Sequence, residues 1–168
     1  MPIAYVGLGS NLERPRRQLV RATRALARVP ATRIVGVSPY YLTAPIGVTT
    51  AQPDFVNAVA VLDTALAPRA LLRHLQSIER RQRRRRDPGA ARNQPRTLDL
   101  DLLLYGRRRL ATAFLTLPHP RMHERSFVLR PLLDVAPVAS IPGRGRARAA
   151  LARTRAQRIA PTRAQRFG

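Results

Sequence analysis

Pro95-Arg96-Thr97-Leu98-Asp99-Leu100-Asp101-Leu102-Leu103-Leu104-Tyr105-Gly106 sets two acids into an otherwise apolar run. Leucine and aspartate alternate from Leu98 to Leu102, and alternation is the period of a strand. Residues i and i+2 of a strand share a face. Asp99 and Asp101 therefore point one way, while Leu98, Leu100, Leu102 and Leu104 pack the other way. Residues 98–104 complete a longer series. Residues 3–8 form an apolar strand closed by the turn formers Ser10 and Asn11. Pro15 suits the first position of a helix that carries Leu19, Ala22, Leu26 and Val29 on one face. Residues 32–38 read as a second strand, 40–52 as a Pro- and Thr-rich loop, and 55–62 as a third strand. Pro68 opens a second helix with Leu71, Leu72, Leu75 and Ile78 on one face, which runs into the arginines of 80–86 and stops at Asp87-Pro88-Gly89. Beyond the fourth strand, 117–119 begin a loop, 127–133 form a short apolar segment and 146–153 a last helix. The order β-α-β-β-α-β predicts an α+β, ferredoxin-like domain, a mainly antiparallel sheet with helices packed on it. The expected division is a folded domain over residues 1–142 and an Arg-rich helix and tail over 143–168, partly disordered because its charge is of one sign.

The chain has 168 residues, 31 of them basic and 9 acidic, for a net charge of +22, and every basic residue is arginine. Absence of cysteine excludes a disulfide scaffold, a thiolate metal site and cysteine nucleophile chemistry. The longest apolar runs fall far short of the ~18 residues of a membrane span, and because strand-like sequence begins at residue 3 no signal peptide is expected. The expected address is the cytoplasm. A charge this large suggests a phosphate-backbone partner, but an all-arginine composition also fits codon bias. The placement of the arginines separates these two readings.

The Asp99/Asp101 pair places two carboxylates within about 7 Å on a rigid strand, which suits Mg²⁺, a cation that takes one or two carboxylates plus phosphate oxygens. Arg92 and Arg96 stand just upstream, and with the 80–86 run they offer guanidinium forks for a polyphosphate. Some of that run serves only as a solvated helix end. Phe55 and Asn57 share a strand face, where an amide can read the edge of a heterocycle beside a stacking ring. Gly7-Leu8-Gly9 lacks the third glycine of a dinucleotide fingerprint and reads better as tight packing or a turn. A lone histidine in Pro118-His119-Pro120 is more often structural than catalytic.

Four segments together resemble the 6-hydroxymethyl-7,8-dihydropterin pyrophosphokinase family of folate biosynthesis. They are Ala4-Tyr5-Val6-Gly7-Leu8-Gly9-Ser10-Asn11-Leu12, Gln52-Pro53-Asp54-Phe55-Val56-Asn57-Ala58, the aspartate stretch from Pro95 to Gly106, and Leu117-Pro118-His119-Pro120-Arg121-Met122. The resemblance implies a ferredoxin-like transferase that moves diphosphate from ATP to the hydroxymethyl group of the pterin and releases AMP. It implies that Asp99 and Asp101 hold two Mg²⁺ ions, and that Thr43, Ala44, Pro45, Ile46, Phe55, Asn57 and Phe127 form the pterin pocket. It also implies that Gln76, Glu79, Arg84, Arg92, Arg96, Leu102, Thr116, His119 and Arg125 meet the nucleotide, with Arg84, Arg92, Arg96 and Asp101 acting in catalysis. The choice between Arg84 and Arg86 stays open, because the segment before Asp99 is about two residues longer than a familiar bacterial pattern. Asn93 stands where some members carry a tryptophan, Phe55 and Pro120 where others have tyrosine, and Phe114 at an otherwise basic position. The expected partners are ATP and the pterin, with no membrane. All of these groups lie before residue 143, so removal of 143–168 is expected to leave turnover unchanged. The rival reading is a basic ferredoxin-like module that binds nucleic acid, for which the aromatic strand pattern of an RNA-recognition motif is missing.

Overall fold

Alternating burial along Ile3–Ser10 (β1) marks a strand with one face in a core, here an interior strand of a sheet. The computed structural model of the chain describes residues 1–12, 14–43, 55–83, 98–157 and 159–162. After β1 come α1 (Pro15–Leu26), β2 (Thr32–Val37), β3 (Tyr41–Thr43), β4 (Phe55–Thr64), α2 (Pro68–Arg83) and β5 (Leu98–Tyr105). Two short strands, β6 (Leu110–Ala111) and β7 (Thr116–Leu117), lead to a 3-10 turn over Met122–Glu124 and to α3 (Ser126–Val135). The chain continues through β8 (Ser140–Ile141), β9 (Gly145–Arg146), α4 (Ala147–Ala152) and β10 (Ile159–Pro161).

The main sheet runs β10-β3-β4-β1-β5, with β2 also on β4, and every pairing in it is antiparallel. This is the ferredoxin-like arrangement, with β4 inserted between β1 and β2. β2 and β3 share one edge of β4, and Ser38 joins them there. Its N–H donates to the Val59 carbonyl at 2.9 Å and its Oγ accepts the Val59 N–H at 2.9 Å. Three residues of strand at 41–43 thus replace part of the expected loop over 40–52. They are too few, and too close to Pro39, to show a period of their own.

Helices α1 and α2 cover one face of the sheet, burying Leu19, Ala22, Leu26, Leu71, Leu75 and Ile78 against Val6, Leu62 and Leu100. Leu72 is only half-buried. The other face holds a second core, in which Leu129 and Leu132 of α3 pack with Val59, Leu103, Leu104 and Met122. A strand covered on both faces reads as a continuous apolar run, and β4 is buried almost throughout. Leu104 departs from expectation. The register steps from Tyr5 opposite Leu104 to Val6 opposite Leu102, so Leu103 is an extra residue, a bulge that turns Leu104 to the α3 face. The segment expected as an Arg-rich helix and tail from residue 143 contains β9, α4 and β10. Ala147 and Ala150 are buried in the second core, and β10 pairs with β3. Tyr41 of β3 donates to the Asp134 carboxylate of α3, and so ties that helix to the sheet. Among the described residues no helix is long and apolar enough to cross a membrane.

Two independent cores make a simple expectation. Leu62→Ala under α1 and Leu132→Ala in α3 should each lower unfolding stability by about 2–5 kcal/mol in urea titrations, because both side chains are fully buried. A cost near zero for either would show that its face is not packed.

Candidate active site

Residues directly opposite one another in a sheet share a face, so register alone assembles a site. Asp99 of β5 lies opposite Gly9 of β1, Gly9 opposite Asn57 of β4, and Asn57 opposite Tyr41 of β3. One step along, Asp101 lies opposite Gly7 and Gly7 opposite Val59, while Phe55 pairs with Thr43. The two carboxylates, the amide, the Phe55 ring and the Thr43 hydroxyl therefore belong to one face, with two glycines between the acids and the amide. The turn expected for Gly7 and Gly9 is not their role, whereas tight packing holds at Gly9, against Asn57 of the neighbouring strand rather than a helix. They lie mid-strand and leave the floor of a cavity bare. A Cβ on Gly9 would stand 2.7 Å from Asn57 Oδ1, whereas one on Gly7 would meet Leu103 at 3.4 Å, an ordinary contact.

The cavity has a volume of about 550 Å³. Its floor is the glycine strand, one wall carries Asp99 and Asp101, and another Thr43, Phe55 and Asn57. The turn into α3 closes it with Arg121, Glu124, Arg125 and Phe127, and Gln157 completes the lining. Asn57 and Thr43 are buried, and Asn57 Nδ2 donates to Thr43 Oγ1 at 2.7 Å. This bond fixes the amide plane, and the threonine hydroxyl keeps its own proton to donate. The Arg125 guanidinium stands 5.5 Å from the centre of the Phe127 ring.

Electrostatics concentrate at the β5 wall. Burial raises the Asp101 carboxyl above its usual range and Asp99 adds to that, while His119 and Arg125 oppose it. His119 is lowered by burial and by Arg125 and Arg121 against the pull of Asp101. Its Nδ1 accepts the Arg121 N–H at 3.2 Å, so the neutral ring carries its proton on Nε2. From α2, Arg83 Nη2 reaches Glu79 at 3.4 Å, the Leu98 carbonyl at 3.3 Å and Asp99 at 3.5 Å. Burial pushes Glu79 up to about 7, against the pull of Arg83 and with Asp99 and Asp101 adding to the rise. Two carboxylates side by side on one wall, with the Asp99 charge adding to the rise at Asp101 and at Glu79, form a site suited to a cation. Among the described residues no three metal-ligating side chains cluster. A donor set of two aspartates with open positions suits Mg²⁺, which keeps waters and takes substrate oxygens.

Of the residues expected from sequence, Thr43, Phe55, Asn57, Asp99, Asp101, Arg125 and Phe127 meet in this cavity. His119 sits beside Asp101, and Glu79 is linked to Asp99 through Arg83. Gln76 is exposed on α2, Thr116 is exposed on β7, and the Leu102 side chain is buried under the helices on the opposite face from the aspartates. Ala44, Pro45, Ile46, Arg84, Arg92 and Arg96 lie outside the described residues. Sequence reasoning did not single out Arg83, Glu124 or Gln157. Arg83 belongs to the arginine run, but only the helix phase shows which of its members turns toward β5.

A family model described as 7,8-dihydro-6-hydroxymethylpterin-pyrophosphokinase matches residues 5–137. A Pseudomonas aeruginosa protein named 2-amino-4-hydroxy-6-hydroxymethyldihydropteridine pyrophosphokinase is 52% identical over 138 residues, covering 82% of this chain and 83% of its own. A Haemophilus influenzae protein of the same name is 44% identical over 142 residues, covering 84% and 86%. Among solved structures, the Plasmodium falciparum HPPK-DHPS with pteroate superposes with a TM-score of 0.71 at 14% identity, over 90% of this chain. The chain spans 42% of the length of that protein, and the likeness concerns the fold.

Two expectations follow. Gly9→Ala should displace the Asn57 amide and lower the melting temperature by a few degrees, while Gly7→Ala leaves Asn57 in place; equal effects would contradict the contact at Gly9. Folded Glu79 keeps a proton that unfolded Glu79 releases near its ordinary 4.5. Its contribution to stability is therefore full below about pH 4.5 and lost as pH rises through about 7. Glu79→Gln should melt higher than the parent at about pH 8, and the gap should close toward about pH 4.5. A gap independent of pH would contradict burial as the cause.

Proposed function

The chain belongs to the 7,8-dihydro-6-hydroxymethylpterin-pyrophosphokinase family, and from that premise we propose that the cavity over Gly7 and Gly9 is its catalytic centre. The protein transfers diphosphate from ATP to the hydroxymethyl group of 6-hydroxymethyl-7,8-dihydropterin and releases AMP, a step of folate biosynthesis. The observation that carries the siting is the single sheet row Asp99–Gly9–Asn57, which sets a cation-seeking wall against a heterocycle-reading amide across a floor without side chains.

The assignment of roles follows from chemistry at each wall. Asn57, held by Thr43, presents its remaining amide capacity to the pterin edge, and Phe55 and Phe127 supply ring faces. The expected neighbours Ala44, Pro45 and Ile46 continue this pocket by family resemblance. Asp99 and Asp101 would hold Mg²⁺, two ions by the same resemblance, which when bound neutralises phosphate charge and polarises the transferring group. Arg125 and Arg121 project from the α3 turn toward the same space and offer guanidinium forks to the phosphates. Arg84, Arg92 and Arg96 are assigned the same task. His119 stays neutral near pH 7 and donates from Nε2 without adding a charge. Asp101 stands on the cavity wall to receive the proton that the attacking hydroxyl loses. Glu79 acts through Arg83, which it and Asp99 share. Gln76, Leu102 and Thr116 are assigned to the nucleotide by resemblance, Leu102 through its backbone because its side chain is buried. We place the reaction in the cytoplasm, where ATP is available.

Phosphoryl-type transfer depends on position and charge neutralisation rather than covalent chemistry. Incubation with Mg-ATP and 6-hydroxymethyl-7,8-dihydropterin should yield AMP and the pterin diphosphate in equal amounts. EDTA should stop the reaction and added Mg²⁺ restore it. Asp99→Ala and Asp101→Ala should each cut kcat/KM by on the order of 10²-fold or more. Formation of ADP in place of AMP, or full activity of both variants, would overturn the proposal.

A further inference from the structure

Arg125 is the hinge residue of the α3 turn, and its backbone is fixed from outside that turn. Helix α3 has no side-chain cap of its own, since Arg125 occupies the N-cap position. The first N–H groups of a helix need partners from elsewhere. Gln157, thirty-one residues further along the chain, supplies one: its Oε1 accepts the Ser126 N–H at 2.9 Å. Its Nε2 donates to the Glu124 carbonyl at 2.7 Å. One amide therefore grips the main chain on both sides of Arg125. Gln157 is itself held from two directions. Its N–H donates to the Thr154 carbonyl at 3.0 Å, and buried Thr154 is tied back to Leu151 at the end of α4 through its N–H at 2.9 Å and its hydroxyl at 2.8 Å. On the other side β10 pairs with β3, placing Ile159 opposite Thr43 of the cavity wall. Gln157 also lines the cavity.

We propose that Gln157 is a positioning residue of the reaction, which sets the Arg125 guanidinium and the Phe127 ring at the cavity wall by clamping the peptides that flank Arg125. The proposal rests on the pyrophosphokinase reading of this cavity. It gives residues 143–162 a part in turnover, contrary to the expectation from sequence that their removal is neutral. Ser126 is buried, so loss of its acceptor leaves an N–H without a partner inside the protein and favours a shift of the turn. A misplacement of about 1 Å is enough to slow a positioned reaction on the order of 10²-fold.

Gln157→Met keeps length and removes both polar atoms, while Gln157→Glu keeps the acceptor for Ser126 and removes the donor to Glu124. Both are measured beside Arg125→Ala and the Arg125→Ala/Gln157→Met double variant, with AMP release as the assay and amide hydrogen exchange at Ser126 on the free proteins. In Gln157→Met, kcat/KM should fall about 10- to 100-fold and Ser126 should exchange at least tenfold faster, with Gln157→Glu between it and the parent in both. In the Arg125→Ala background Gln157→Met should cost clearly less than it does in the parent, because part of its effect runs through the guanidinium already removed and only the Phe127 share is left. Turnover within twofold of the parent in Gln157→Met, unchanged exchange at Ser126, or full additivity in the double variant would each overturn the proposal. If Gln157→Met fails to fold, Gln157→Glu is judged on turnover alone: a fall of more than about twofold is expected from loss of the donor to Glu124, and turnover within twofold of the parent overturns the proposal. A parent protein that releases no AMP would instead overturn the reading of the cavity, whatever the exchange at Ser126.

Discussion

Gly9 and Asn57 face each other across β1 and β4, and the site depends on the missing side chain between them. The amide oxygen of Asn57 fills the place where a Cβ would sit, 2.7 Å away. Because the pairing also sets Gly9 opposite Asp99, the same position controls the distance between the amide and the acids. A strand needs side chains to bury, and glycine weakens it. β1 tolerates two glycines because it is an interior strand, paired on both sides by β4 and β5, with Ala4, Val6 and Leu8 buried under the helices. The backbone ladder holds what side chains do not, and the free face becomes a floor for ligand.

The charge of +22 takes on a different meaning once positions are known. Arg16, Arg17, Arg21 and Arg24 ride the exposed side of α1 and Arg28 the turn after it, where their heads remain in water and contribute little to any one site. Arg83, Arg121 and Arg125 converge on two aspartates. The acids are few, and Glu79, Asp99 and Asp101, all near one another, account for three of nine. A cluster of like charge is costly unless a ligand of suitable charge completes it, and a bound cation would do so.

Strand and helix order were legible because period-2 and period-3.6 patterns are local. So was the Asp99/Asp101 pair, whose shared face follows from strand geometry alone. The same rule paired Phe55 with Asn57, and the resemblance then added Thr43, Arg125 and Phe127, which no spacing rule could bring to one site. Other features depend on distant pairing. β3 has three residues and takes its conformation from β4. Leu104 changes faces because Leu103 bulges against β1, and nothing in a run of three leucines marks which is the extra one. Gln157 lies in a stretch dominated by arginine, and its two partners are main-chain atoms 31 and 33 residues back, which leave no trace in side-chain chemistry. The glycines were visible, but their purpose needed the residue across the strand.

The central claim is that one sheet face holds the cation and phosphate at Asp99 and Asp101, and the pterin at Asn57, across Gly9. A crystal structure of the protein with Mn²⁺, a non-transferring ATP analogue and the hydroxymethyl pterin measures this directly through anomalous scattering and ligand density. The expected result is manganese against both aspartates and the pterin over Gly9, with its polar edge on Asn57 and its hydroxymethyl group toward the phosphates. Manganese away from the aspartates, or the pterin outside the glycine floor, would contradict it.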